Sequence, residues 1–383
     1  MLNKEDQKII QDMVTTRNIT TNTLRGYMTI LNNYTTYHEK QLSPLIQEAQ
    51  KQEEEHIPPN KTKLKDRLLK FRTHMIQQEY SKNTINMAMS KLHTFYTHHE
   101  ITVPQLPQVK LKDEYVTNYQ DIPSRQDIQT VIEKVPQDFK ALILFMSSSG
   151  TAKAETLNLT IQDFIEATKE YHTNASITKI LLELSQQENI VPTWYIKRKK
   201  TNKFYYTFSS PESSTALINY LRERNNRNTL QPDEKIFLFT SCNVTKKFET
   251  INDDMGWGFK GKYRYFRSHA LRKYHASNIQ LPVEYIDELQ GRAKNKIHQA
   301  YIKTNPEQLK QVYIEHMHNV MIYNTTPSQE DTENQLEITV ETPQEKPQHT
   351  ENTFELGVTI GKLEARIEAL EKIIYGGNQH ARR

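Results

Sequence analysis

The segment Ser268-His269-Ala270-Leu271-Arg272-Lys273 combines residue types suited to binding and polarising a phosphate. A serine ahead of an apolar-periodic run predicts a helix N-cap, which leaves backbone N–H groups and the positive end of the helix dipole beside the first turn. His269 and Arg272, three residues apart, then project from one face. An imidazole and a guanidinium converging at that point suit the oxyanion of a phosphodiester. The surroundings agree in charge. Lys260, Lys262, Arg264, Arg267, Arg272 and Lys273 fall in Met255–Val283, which holds no acid, and Tyr263, Tyr265, Phe266 and Tyr274 interleave with them. A second basic cluster, Lys197-Arg198-Lys199-Lys200-Thr201-Asn202-Lys203, lies elsewhere in the same region. Two such clusters in one region point to contact with the phosphates of a nucleic acid.

Other motifs do not compete. Gly256-Trp257-Gly258-Phe259-Lys260-Gly261 matches G-x-G-x-x-G, but Asn252-Asp253-Asp254 precedes it where a dinucleotide site needs an apolar strand. It reads as a flexible glycine loop. His98-His99-Glu100 and the pair His316 and His318 lack zinc-ligand spacing and read as surface histidines. Cys242 is the only cysteine, which excludes an intramolecular disulfide framework and multi-cysteine zinc sites. No Walker A sequence occurs, and neither a metal nor a cofactor is expected.

The elements that position these residues follow from periodicity. Leu24, Tyr27, Met28, Leu31 and Tyr34 are spaced three and four apart in Thr20–His38, and further helices are expected at 63–79 and 85–99, the last started by Ser81. Residues 53–59 form a break, and Ile101–Ser124, with three prolines, reads as a linker. Beyond it, Asp138–Ser147 is an apolar helix, and Trp194–Phe208 alternates as a hairpin that carries the lysine cluster at its tip. Ser213–Arg224 and Pro306–Tyr323 are amphipathic helices.

The order of the boxes is informative. Leu289-Gln290-Gly291-Arg292 follows Arg272 by seventeen residues, and Tyr301 follows Arg292 by nine. Upstream stand Ser148-Ser149-Gly150-Thr151-Ala152-Lys153-Ala154-Glu155-Thr156-Leu157-Asn158-Leu159 and the hairpin lysines. This arrangement resembles the tyrosine recombinase (phage integrase) family over about 125–320, and its wording is similar to archaeal members. The resemblance implies a mainly α fold with a small β-sheet. A helical, SAM-like core-binding domain at 1–110 and a linker at 111–124 would precede a mixed α+β catalytic domain at 125–323. It further implies Tyr301 as nucleophile, Arg272, His269, Lys200, Arg292 and Lys153 as its catalytic companions, and Glu155 as a partner that orients a basic side chain. Lys199 and Lys203 remain alternatives to Lys200. Lys197, Arg198, Lys199, Lys203, Lys260, Lys262, Arg264, Arg267 and Lys273 are the expected contacts to double-stranded DNA.

The chemistry is coherent with that resemblance. A phenol with a reference pKa of about 10 needs neighbouring cations to become a phenolate nucleophile. Attack on the phosphodiester gives a 3′-phosphotyrosine, and the departing 5′-oxygen takes a proton, which the family's hairpin lysine delivers. Two departures stand out. Where the family has its first arginine this chain has Ala152, followed by Lys153, a point charge in place of a planar fork. Arg292 replaces the family's second His or Trp and is positioned by sequence to make up part of that loss. The implied function is site-specific cutting and rejoining of DNA, integrating or excising a mobile element. The alternatives are a DNA-binding protein of this fold with impaired cleavage, warranted by Lys153, and a type IB topoisomerase-like relaxing enzyme.

Composition sets the frame. The net charge of +4 divides into +9 on residues 1–323, −6 on 324–353 and +1 on 354–383. The acidic, Thr/Gln/Glu/Pro-rich stretch 324–353 predicts a disordered linker. Leu356, Ile360, Leu363, Ile367, Leu370 and Ile374 then alternate four and three apart, a coiled-coil seam at 354–376 that predicts self-association, as a dimer or tetramer on DNA. No apolar run approaches a membrane span and no signal-peptide core follows Met1, so a cytoplasmic protein without a membrane partner is expected.

Overall fold

The computed structural model describes residues 2–108, 115, 118–200, 202–292 and 305–323. Residues 293–304, which include Tyr301, and the linker and coiled-coil segments after 323 lie outside the described residues.

The amino-terminal helices are α1 (Lys4–Thr16), α2 (Thr21–His38), α3 (Leu42–Glu54), α4 (Lys63–Gln77) and α5 (Lys82–His98). Each presents one apolar stripe, and together Ile10, Leu31, Tyr34, Leu45, Leu68, Phe71, Leu92 and Phe95 belong to one buried cluster. Caps fix the ends. Asn3 and Asp6 close a capping box on α1, and Asp6 Oδ1 also accepts from Leu42 N at the start of α3 (2.8 Å). Ser81 caps α5 by accepting from Thr84 N.

After a non-helical passage at 101–108, α6 (Arg125–Lys134) starts at a Ser124–Asp127 capping box. The helix α7 (Gln137–Ser149) is apolar all round from Ala141 to Met146, and Phe139 and every residue from Ala141 to Ser149 are buried. It is therefore central, with α11 (Pro211–Arg227) and α13 (Ser268–Asn278) packed on it. The short helices α8 (Lys153–Thr156), α9 (Ile161–Ala167) and α10 (Ile177–Ser185) lead to the hairpin of β1 (Thr193–Lys197) and β2 (Phe204–Phe208). Its antiparallel register pairs Tyr195 with Tyr206 and Lys197 with Phe204. Trp194, Ile196, Tyr205 and Thr207 face inward. Next come α12 (Ser241–Asp254), β3 (Phe259–Lys260), β4 (Tyr263–Arg264), α13, α14 (Val283–Leu289) and α15 (Pro306–His316). The described residues through Val320 form one compact unit, mainly helical with two small antiparallel hairpins. No helix among the described residues is long and apolar enough to cross a membrane.

Three sequence expectations change. The glycine segment 256–261 is not a loose loop: Gly256, Gly258 and Gly261 all take positive φ, and the chain folds into the tight β3–β4 hairpin. Ser268 is the first residue of α13 rather than its cap, because extended Arg267 occupies the N-cap position without a side-chain bond. His99 is half-buried against Phe95 (ring centroids 4.9 Å) rather than lying on the surface. The helix expected from Pro306 ends at His316 and packs into the core: Tyr313 is fully buried, packs on Phe208 and donates its hydroxyl to Ser148 O (3.0 Å).

Candidate active site

Arg272 is the centre of the site. Ala270, Leu271 and Tyr274 bury α13 against the body, and this carries the Arg272 side chain inward, where 6% of the residue stays exposed. Its guanidinium donates from Nη1 to Gly150 O (2.7 Å) and from Nη2 to Gln290 O (2.7 Å). Glu155 Oε2 lies 3.9 Å from Nη1 and accepts from the Tyr205 hydroxyl (2.9 Å) and from Ala152 N (3.1 Å). One side chain thus joins the end of α7, the carboxylate of α8, the inner face of β2 and the end of α14. A buried guanidinium demands such partners, since each unpaired donor would cost about 1–3 kcal/mol.

The backbone is shaped for this. Gly150 ends α7 at φ 65°, and a Cβ there would meet the His275 ring at 2.7 and 2.8 Å and Gln290 Nε2 at 2.9 Å. Gln290 Nε2 donates to Arg272 O and faces His275 Nδ1, both at 3.1 Å. Burial first, then the nearby charges of Arg272 and Arg292, pulls the fully buried His275 imidazole down to about 3. In an unfolded chain it titrates near 6.5. Its contribution to stability is therefore complete above that value and is lost as the pH falls from about 6.5 toward 3. The melting midpoint of wild-type protein is expected to drop over this range. His275→Gln is expected to flatten the profile between pH 6.5 and 4. Parallel profiles for the two proteins would refute it.

Arg198 stands differently from its neighbours. The sequence groups it with the DNA-facing cluster, but its side chain turns inward and donates from Nη1 to Gln290 O (3.2 Å) and to Gly291 O. Lys197, Lys199, Lys200 and Lys203 stay exposed around the hairpin turn, with Lys197 Nζ 5.6 Å from the Phe204 ring centroid. His269 is half-buried, and burial followed by Arg267, Lys273, Arg272 and Arg292 lowers its pKa, so the neutral imidazole prevails at pH 7. Arg292 is exposed, with Nη1 3.4 Å from Asp287 Oδ1. The cations around Arg272 outnumber the one buried carboxylate, an electrostatic arrangement that favours an anion.

Other predicted residues go elsewhere. Lys153 Nζ donates to Ser241 O (3.0 Å) and Thr245 Oγ1 (2.6 Å) on α12, and burial lowers its pKa. Arg264 pairs with Asp253 through Nε and Nη2 (3.0 and 3.1 Å) and lies 3.5 Å from Glu249. The acid-free window ended just short of these carboxylates, so Arg264 is an internally neutralised residue. Arg267 stacks its guanidinium over Tyr263 (4.7 Å), Lys260 reaches over Tyr265 (5.8 Å), and Lys262 donates to Glu79 O. Lys273 is half-buried, with a pKa lowered by burial and by Arg267. Tyr205, Gln290 and His275 escaped the sequence reading. For Gln290 the signal was present, since it sits inside the Leu289–Arg292 box. Among the described residues no group of three or more His, Cys, Asp or Glu converges as metal ligands.

No protein-family model and no curated protein matches the sequence. Solved structures do. The chain is similar to a lambda integrase dimer bound to a COC′ core site, at 13% identity and TM-score 0.47, covering 80% of this chain and 99% of that one. It is similar to the Tn1549 transposon integrase in complex with transposon right end DNA, at 14% identity and TM-score 0.46, covering 81% and 98%. It is also similar to the XerA recombinase, at 16% identity and TM-score 0.33, covering 82% and 98%.

Proposed function

We propose that this chain cuts and rejoins DNA at specific sites through a 3′-phosphotyrosine intermediate on Tyr301, in the service of integrating or excising a mobile element. The observation that carries the reading is the convergence on Arg272. Gly150, Glu155 and Gln290, up to 140 positions apart in sequence, meet at one guanidinium ringed by further cations, and Tyr205 joins them through Glu155. In this reading Arg272 and Arg292 neutralise the non-bridging oxygens, and neutral His269 accepts or returns a proton. Lys200, on the exposed hairpin turn, protonates the 5′-oxygen as the Tyr301–phosphorus bond forms and the phosphorus–5′-oxygen bond breaks. Reversal by a 5′-hydroxyl restores the phosphodiester, so its energy is conserved without a nucleotide cofactor. The exposed lysines of the two hairpins follow the duplex, and the coiled-coil seam gathers protomers.

The test is covalent trapping. Protein is incubated with nicked fragments of its source genome and denatured, and the attached DNA is sequenced. Adducts sharing one junction in wild type and missing in Tyr301→Phe are expected. DNA that remains attached to the Tyr301→Phe protein would refute the nucleophile. A second reading, a DNA-binding protein with impaired cleavage, is favoured by one observation: the Lys153 ammonium is held by α12. Sequence-specific binding with no adduct from wild type would select it.

A further inference from the structure

We infer that Arg198 supplies the guanidinium that the Ser148–Leu159 box lacks, donating with Arg272 to the non-bridging oxygens of the phosphodiester being cut. The inference rests on the strand-cleavage reading above and deepens it. The family's box carries an arginine where this chain has Ala152, and Lys153 is engaged by α12. That leaves room for a planar cation from another element. Arg198 stands beside Arg272. It and Arg272 donate to the same carbonyl oxygen, that of Gln290, at 3.2 and 2.7 Å, so the two donor nitrogens are no farther apart than the sum of these distances. Its bonds run through Nη1, and its buried Nε has no hydrogen-bond partner among the described residues. Two guanidinium groups held to one carbonyl oxygen concentrate positive charge that an anion balances.

The Gln290 and Gly291 carbonyls fix the orientation of the fork, which a lysine cannot reproduce. The second hairpin residue on this network, Tyr205, holds Glu155 from the inner face of β2. The β1–β2 hairpin therefore delivers two groups to the site: Arg198 toward phosphate and Tyr205 toward the carboxylate. Its exposed lysines remain for the duplex.

The experiment uses full-length protein and a duplex built on the junction recovered by trapping. One version carries a phosphodiester at the cut position and the other an uncharged methylphosphonate. Arg198→Ala is expected to lower covalent adduct on the phosphodiester about 100-fold, the effect of removing one oxyanion donor. On the methylphosphonate, where there is no charge to neutralise, the loss is expected to shrink to less than tenfold. Arg198→Lys, which keeps charge without the fork, should fall between wild type and Arg198→Ala. Melting midpoints confirm that each variant is folded. Equal losses on both duplexes would assign Arg198 a structural role and overturn the inference, as would an undiminished adduct on the phosphodiester. A wild-type protein that forms no adduct on either duplex overturns the strand-cleavage reading itself, and this inference with it.

Discussion

Arg272→Ala is expected to remove strand cleavage and to destabilise the protein at the same time. The substitution deletes the one group that satisfies Gly150 O and Gln290 O together and leaves the buried Glu155 facing only Tyr205 and Ala152 N. Breaking a buried charge pair in this way costs about 3–5 kcal/mol. Loss of a preorganised donor from the charge-developing centre costs a further factor of about a thousand in rate. The two effects separate with Arg272→Lys. That variant retains the charge and returns part of the stability, but it presents a single ammonium to two carbonyls and an anion, so covalent adduct should still fall about 100-fold. Melting midpoints and adduct yields on the trapped junction measure both. An Arg272→Ala protein within tenfold of wild-type adduct would show that the convergence is structural.

The second large effect concerns Gly291. It sits at φ 56° against the face of the Tyr205 ring, and a Cβ there would approach Cγ and Cε1 at 2.6 and 2.8 Å. Gly291→Ala combines left-handed strain of about 1–2 kcal/mol with overpacking of about 1–3 kcal/mol, since a buried ring tied to Glu155 has little room to withdraw. A loss of about 3 kcal/mol is expected. Gly256→Ala provides the control, because Gly256 has φ 67° and nothing within 4 Å of its added Cβ. It isolates the backbone strain and should lower the melting midpoint far less. Equal shifts for the two variants would refute the contact with Tyr205. If the ring is displaced, Glu155 loses its bond, and cleavage at the trapped junction falls with it.

The elements were legible in the sequence wherever the deciding interactions are local. The stripe Leu24, Tyr27, Leu31 and Tyr34, the Ser81 cap, the apolar run of α7 and the alternation of Trp194–Phe208 all act within a few residues, through helical or strand periodicity and short-range hydrogen bonds. The boxes around Gly150, Arg272 and Gln290 were legible as well, by residue type and order. What the chain alone did not decide was the destination of its long cations. Arg198 and Lys197 are adjacent and carry the same charge, yet one turns to the Gln290 and Gly291 carbonyls while the other lies on the hairpin's outer face. Lys153 finds acceptors on α12, and Arg264 finds Asp253 and Glu249. His275 and Gln290 become a buried pair only because α13 packs on α7 and the end of α14 arrives beneath Gly150. A long flexible side chain settles where distant segments offer it unpaired oxygens. Sequence therefore determined the elements and the chemical types at the candidate site, whereas tertiary packing decided which arginines turn inward, because only the folded backbone brings their acceptors within hydrogen-bonding distance.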